Sequence, residues 1–259
     1  MFAKRQEESL VQLHMPQEIA RDVEAFLEHL RQELGTNLLS VVAFGSSATG
    51  EYVHWKTSVN LLILVQKLGP ADLEKAANVA LSWLRRFPLD PVLMTADDLA
   101  RSQDVFPVEF VDMFHRHCVL WGEHDPLSDL EIDGSALRVE VEHSLRKKLL
   151  RLRGHFLRVA NNERALTDLM TESIEEFLQL MSSLLFLHGK QPPSRVLDLC
   201  TQLHFTFDLD GSTLIALADV KYGRRSLKRG EALELFERYL RAVERMVDNV
   251  DRMDSHVSG

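Results

Sequence analysis

The chain reads as an α+β protein in two parts, a small mixed helix-and-strand half followed by an all-helical half. Three observations carry that reading. Short aliphatic runs alternate with helical patterns as far as about residue 122. From about Ser135 the strand-like runs stop and long amphipathic stretches replace them. Between the two textures, Asp125 to Gly134 gathers Pro, Gly and acidic residues, as a connection between domains would. We therefore expect a first domain over residues 1–130 and a helical bundle over 131–259.

The first helix opens at Pro16, where a missing N–H costs little, and carries Ile19, Val23, Phe26, Leu27, Leu30 and Leu34 at helical spacing up to Gly35. Leu38 to Phe44 is short, aliphatic and stopped by Gly45, as expected of a buried strand. Val59 to Val65 reads as a second strand. The polar segment between them, with Ser46, Ser47 and Thr49, reads as a loop or the start of a short helix. Pro70 begins a helix that Pro88 follows, and Asp90 to Met94 is a third strand-like run. Thr95 with Asp98 resembles a capping box, so a short helix is expected there. A helix and a strand are expected between Phe106 and Trp121. In the second half, periodic leucines mark helices from Leu137 to Phe156, Leu166 to Leu187, Val196 to Leu203 and Leu233 to Val250, together an up-and-down bundle.

Composition narrows the function. With 259 residues, 45% of them hydrophobic, the chain can bury a large core. A formal net charge of -9 disfavours bulk nucleic-acid binding, which draws on a surplus of Lys and Arg. Cys118 and Cys200 lie far apart without a CxxC partner and read as small buried hydrophobes in a reducing compartment. No apolar run suits a signal peptide or a membrane span, so the expectation is a cytoplasmic protein with no membrane association.

Phe44-Gly45-Ser46, eleven further residues, and then Ser58-Val59-Asn60-Leu61 resemble the signature of the polymerase-beta-like nucleotidyltransferase superfamily. In that family a strand ends in Gly-Ser, and a second strand about a dozen residues later carries Asp-x-Asp. The resemblance covers roughly residues 20 to 100, and the length and helical second half are similar to bacterial aminoglycoside adenylyltransferases. It implies a mixed sheet in the first domain and a site for ATP or another nucleotide. Gly45, Ser46, Ser58 and Asn60 would then be the binding residues, with Asp90 as the third, catalytic carboxylate.

The chemistry explains the signature. Strand residues at i and i+2 share a face, so two carboxylates there can grip Mg²⁺ ions that bind a triphosphate and its leaving pyrophosphate. The Gly-Ser turn lets backbone N–H groups approach phosphates. Here Ser58 and Asn60 hold the metal positions, and a neutral hydroxyl and amide cannot supply that charge. No metal ligand set is therefore expected, and Mg²⁺ should bind weakly or not at all. Ser58 and Asn60 also suit a polar turn entering a strand, and Gly45-Ser46 an ordinary strand-ending turn.

Three readings follow. The first is a nucleotidyltransferase-like pseudoenzyme that keeps nucleotide or phosphate binding in a regulatory role. The second is an active transferase acting on a small-molecule hydroxyl, with Asp90, Glu51 or a carboxylate of the helical half holding Mg²⁺. The third is an interaction module of the toxin–antitoxin type, or a homodimerisation surface. Two basic clusters accompany them: Lys147, Arg151 and Arg158 at spacings of four and seven, and Lys221, Arg224, Arg225, Lys228 and Arg229 before the last helix. Each suits either an anion or a solvated surface. His115 and His117 form the only close histidine pair, without companions for a metal site.

Overall fold

The computed structural model describes residues 15–49 and 57–254. The chain divides into two compact units. The first comprises residues up to Phe106 together with Asp112–Ile132, and the second Pro107–Val111 together with everything from Asp133 onward.

In the first unit, α1 (Gln17–Leu34) leads through a 3₁₀ turn (Gly35–Asn37) into β1 (Leu38–Phe44). A single turn of helix, α2 (Ser46–Thr49), follows, and then β2 (Val59–Val65), α3 (Pro70–Trp83), β3 (Leu89–Thr95) and α4 (Ala96–Arg101). Helix α5 (Pro107–His115) begins in the second unit and ends in the first, where β4 (His117–Trp121) completes the sheet. The strand order is β3-β2-β1-β4. β1 is antiparallel to both neighbours and β2 is parallel to β3, so the sheet is mixed.

Alternation along the strands decides what each face does. Val41 and Ala43 of β1, with Leu61, Ile63 and Val65 of β2, share one core with the apolar stripe of α1 and with Trp83 of α3. Within it Phe26 meets Trp83 and Phe87 edge-on, at ring-centroid separations of 6.5 and 6.4 Å, the arrangement that aromatic quadrupoles favour. Full burial of one such ring contributes about 1.5–3 kcal/mol. Asn37 ties the start of β1 to the β2–α3 connection, accepting from the Lys67 N–H (2.9 Å) and donating to the Lys67 carbonyl (2.9 Å) and Asp72 (3.1 Å). The Thr95–Asp98 capping box forms as the sequence predicts: the Asp98 N–H donates to Thr95 Oγ1 and the Thr95 N–H to Asp98 Oδ2, both at 3.0 Å.

The second unit is helical: α6 (Gly134–Val159), α7 (Glu163–Leu187), α8 (Val196–Phe207), α9 (Gly211–Lys221) and α10 (Glu231–Asp254). The short connection between α6 and α7 makes them an antiparallel pair, and α10 packs on both. Phe156 stacks on Phe236, and Phe177 meets Tyr239 edge-on. Lys148 is buried among these helices, with Nζ donating to the Ser173 carbonyl (2.9 Å), Ser173 Oγ (3.1 Å) and Glu176 (2.7 Å). Burial pulls its pKa below the ordinary lysine value against the opposing pull of Glu176. α9 is an element the sequence reading does not contain. Among the described residues no helix is long and apolar enough to cross a membrane.

Candidate functional site

Strand register brings the sequence-predicted residues together at one end of the sheet. Asp90 of β3 pairs with Asn60 of β2, and Asn60 pairs with Phe44 of β1, which in turn pairs with His117 of β4. Residues in register share a face, so these four form one row across the sheet, beside the Gly45–Ser46 turn. Ser58, half-buried, stands two residues before Asn60 and shares its parity. Asp90 is exposed at the open edge of the sheet. Glu51, a ligand in the active-enzyme reading, lies outside the described residues.

Gly45 is required by its backbone. Its φ is +68°, in the left-handed region, and a Cβ built on it would sit 3.0 Å from Asn60 Nδ2. The Asn60 amide therefore lies directly against the turn. Both sides of the turn are pinned: the Gly45 N–H donates to the Arg116 carbonyl (2.8 Å), and its own carbonyl accepts from the Ala48 N–H (3.1 Å). Ser47 is fully buried and donates to the Phe44 carbonyl at 2.8 Å, which makes its hydroxyl part of the turn's framework. Ser46 is half-buried, and the N–H groups that open a helix have no acceptor within it, so Ser46 presents both a hydroxyl and a backbone donor.

Sequence reasoning missed the opposite flank. Arg116, whose carbonyl holds Gly45, is itself held by buried Asp112 one helical turn earlier, with Nε donating at 2.7 Å. His117 spans the Phe114 carbonyl (Nδ1, 3.0 Å) and Asp125 (Nε2, 2.9 Å). Asp112 and Arg116 are spaced i, i+4 on a helix end, a signal the sequence does contain. His115 takes a different environment from His117. It lies edge-on to Phe114, and burial lowers its pKa from the ordinary histidine value.

The donor set of the row is a hydroxyl from Ser58, an amide from Asn60 and one carboxylate from Asp90. Two Mg²⁺ ions need several anionic oxygens, so these residues do not fit a two-metal centre. Among the described residues no group of three or more His, Cys, Asp and Glu is placed to hold a metal. Chemically, the arrangement can offer N–H and O–H donors to an anion.

The basic clusters differ from one another. Lys147, Arg151 and Arg158 line one groove of about 600 Å³ along α6, together with His143, Arg146 and His155. The second cluster is largely balanced by Arg224–Asp219 (2.8 Å), Lys221–Glu175 (2.9 Å) and Arg225–Glu231 (3.5 Å).

No protein-family model matches the chain, and no curated protein matches it in sequence. Its structure is similar to the crystal structure of spectinomycin adenyltransferase from Enterococcus faecialis with ATP and spectinomycin. The TM-score is 0.54 at 12% identity, over 86% of this chain and 98% of that one. At that identity the likeness speaks for the fold. The chain has an adenylyltransferase-like nucleotidyltransferase fold, with a small mixed sheet and a helical C-terminal part.

Proposed function

We propose that this nucleotidyltransferase-like protein binds a nucleotide, or its phosphates, at Gly45 and Ser46 without two-metal catalysis, and that its role is binding or regulation. One observation carries the reading. The uncharged Asn60 amide stands in register with Asp90 and packs on the Gly45 turn, where the fold's chemistry calls for a carboxylate. The similar adenyltransferase was solved with ATP, which makes ATP the first ligand to try.

The test is isothermal titration with ATP, with Mg²⁺ and again with EDTA. The expected result is binding of equal affinity in both. Binding only with Mg²⁺, accompanied by release of pyrophosphate, would overturn the proposal in favour of an active transferase. No binding in either condition would leave the interaction-module reading. In Ser58→Asp/Asn60→Asp, the two restored carboxylates should make ATP affinity depend on Mg²⁺ by about tenfold, a gain of roughly 1.4 kcal/mol.

A further inference from the structure

We propose that the opposite end of the sheet carries a second ligand site, one that takes a small amphipathic cation: an organic amine with an apolar body. A cavity of about 860 Å³ opens there, lined wholly by residues of the first unit, and its apolar walls include Leu39, Leu64, Leu99, Trp121 and Leu130. That volume lies within the range of drug-sized sites, roughly 300–1,000 Å³. The cavity sits where β1 and α4 begin and β2 and β4 end. Its near edge, Ser40 and Leu64, stands four residues along the strands from Phe44 and Asn60, roughly 13 Å at about 3.3 Å per residue.

The charge of the lining selects the ligand. Glu123 and Asp129 are both exposed at this cavity, so it presents two carboxylates above an apolar floor. The neighbouring carboxylate Asp125 is taken by His117, whereas no ion pair among the described residues engages Glu123 or Asp129. Arg31 lies over the Trp121 ring at 3.8 Å and is paired with Glu28 at 2.9 Å, and His124 is the basic side chain within the lining itself.

The walls are also fixed in place. Gly122 approaches β1 so closely that a Cβ would lie 2.8 Å from Ser40 Oγ, and Ser40 in turn donates to the Trp121 carbonyl at 2.8 Å. The attachment point of Glu123 is thereby held against the floor. On the other side, the Thr95–Asp98 cap anchors α4, which contributes Ala96, Leu99 and Ala100. Gln103 accepts from the Glu131 N–H, which orients its amide where it lines the cavity. A rigid apolar slot with uncompensated carboxylates favours a ligand whose body replaces water from the floor and whose ammonium sits at the rim.

The test uses three probes of one shape and different charge: phenylbutylamine, phenylbutanol and phenylbutyrate. Binding to the full chain is followed by titration calorimetry and by Trp121 emission. The amine should bind about tenfold more tightly than the alcohol, two exposed charge contacts together being of that order, and the carboxylate should bind most weakly. Glu123→Gln/Asp129→Asn should lower amine affinity to that of the alcohol and leave the alcohol unchanged. Both positions are exposed, so this variant should fold as the parent does. Ala100→Trp should fill the cavity and remove all three probes, while ATP affinity stays the same in every variant. Equal binding of amine and alcohol, amine binding indifferent to the double substitution, or no binding of any probe at millimolar concentration would overturn the proposal.

Discussion

Replacing Gly45 by alanine tests the turn on which the proposed nucleotide site rests. Two costs are legible in the structure. At a φ of +68°, a side chain with a Cβ is disfavoured by about 1–2 kcal/mol. The new Cβ would also stand 3.0 Å from Asn60 Nδ2, tighter than ordinary contact, so the amide must move by a few tenths of an ångström. Against these, alanine restricts the unfolded chain and returns about 0.4–1 kcal/mol. The net loss should be about 1–2 kcal/mol, a fall in urea midpoint of roughly 0.5–1 M for ordinary m-values. A double-mutant cycle separates the two costs. In an Asn60→Ala background the backbone cost of Gly45→Ala remains and the contact cost disappears, so the coupling should be about 0.5–1 kcal/mol. An equal loss in both backgrounds would show that Asn60 does not pack on the turn. Loss of less than about 0.3 kcal/mol in the parent would refute the whole account of Gly45.

Further predictions concern the helical unit. The folded pKa of Lys148 lies below the ordinary 10.5 because burial disfavours its charge. As pH rises through that depressed value the folded lysine sheds its proton first, and the cost of burying the charge is relieved. The stability of the parent relative to Lys148→Met should therefore rise from pH 7 towards pH 10; a gap that does not change with pH would contradict the burial. The measurement stays below pH 10 because buried Tyr239, whose pKa desolvation raises above the ordinary tyrosine value, lowers the stability of parent and variant alike beyond that point. Asp210 caps α9, accepting from the Ser212 N–H at 3.1 Å and from the Ser212 and Thr213 hydroxyls at 2.6 and 2.8 Å. Asp210→Ala should cost about 1 kcal/mol by urea denaturation at pH 7. The Ser212 bond leads the causes that hold its pKa below the ordinary 3.8, so the contribution is complete above that pH and vanishes as pH falls through the folded value.

Much of the fold is legible because burial imposes periodicity. The stripe Ile19, Val23, Phe26, Leu27, Leu30 and Leu34 announces α1, and the same six residues are buried. β1 and β2 are bounded by residues that end strands, and their limits follow directly. α9 escaped for the converse reason: Gly211 to Lys221 has apolar residues all round, so no stripe stands out, and only Asp210 before Ser212 and Thr213 marks a start. At the site, the resemblance to the nucleotidyltransferase signature singled out Gly45, Ser46, Ser58, Asn60 and Asp90. Spacing could not show that Asn60 leans on Gly45 or that His117 ends the row, since both depend on strand register, which is set by partners far away in sequence. The cavity at the other end of the sheet was invisible for the same reason, because its walls come from four separate stretches of chain.

The position of β1 has a consequence for how the molecule is made. It lies inside the sheet, yet its partners are β2, which follows closely, and β4, which is synthesised only after α3, β3, α4 and α5. During translation the β4-facing edge of Val41 and Val42 stays unpaired until Trp121 has left the ribosome. That is a long-range closure of high contact order, with an apolar edge open to wrong pairing meanwhile. A nascent chain stopped before residue 121 should therefore be the most aggregation-prone stage in this protein's synthesis.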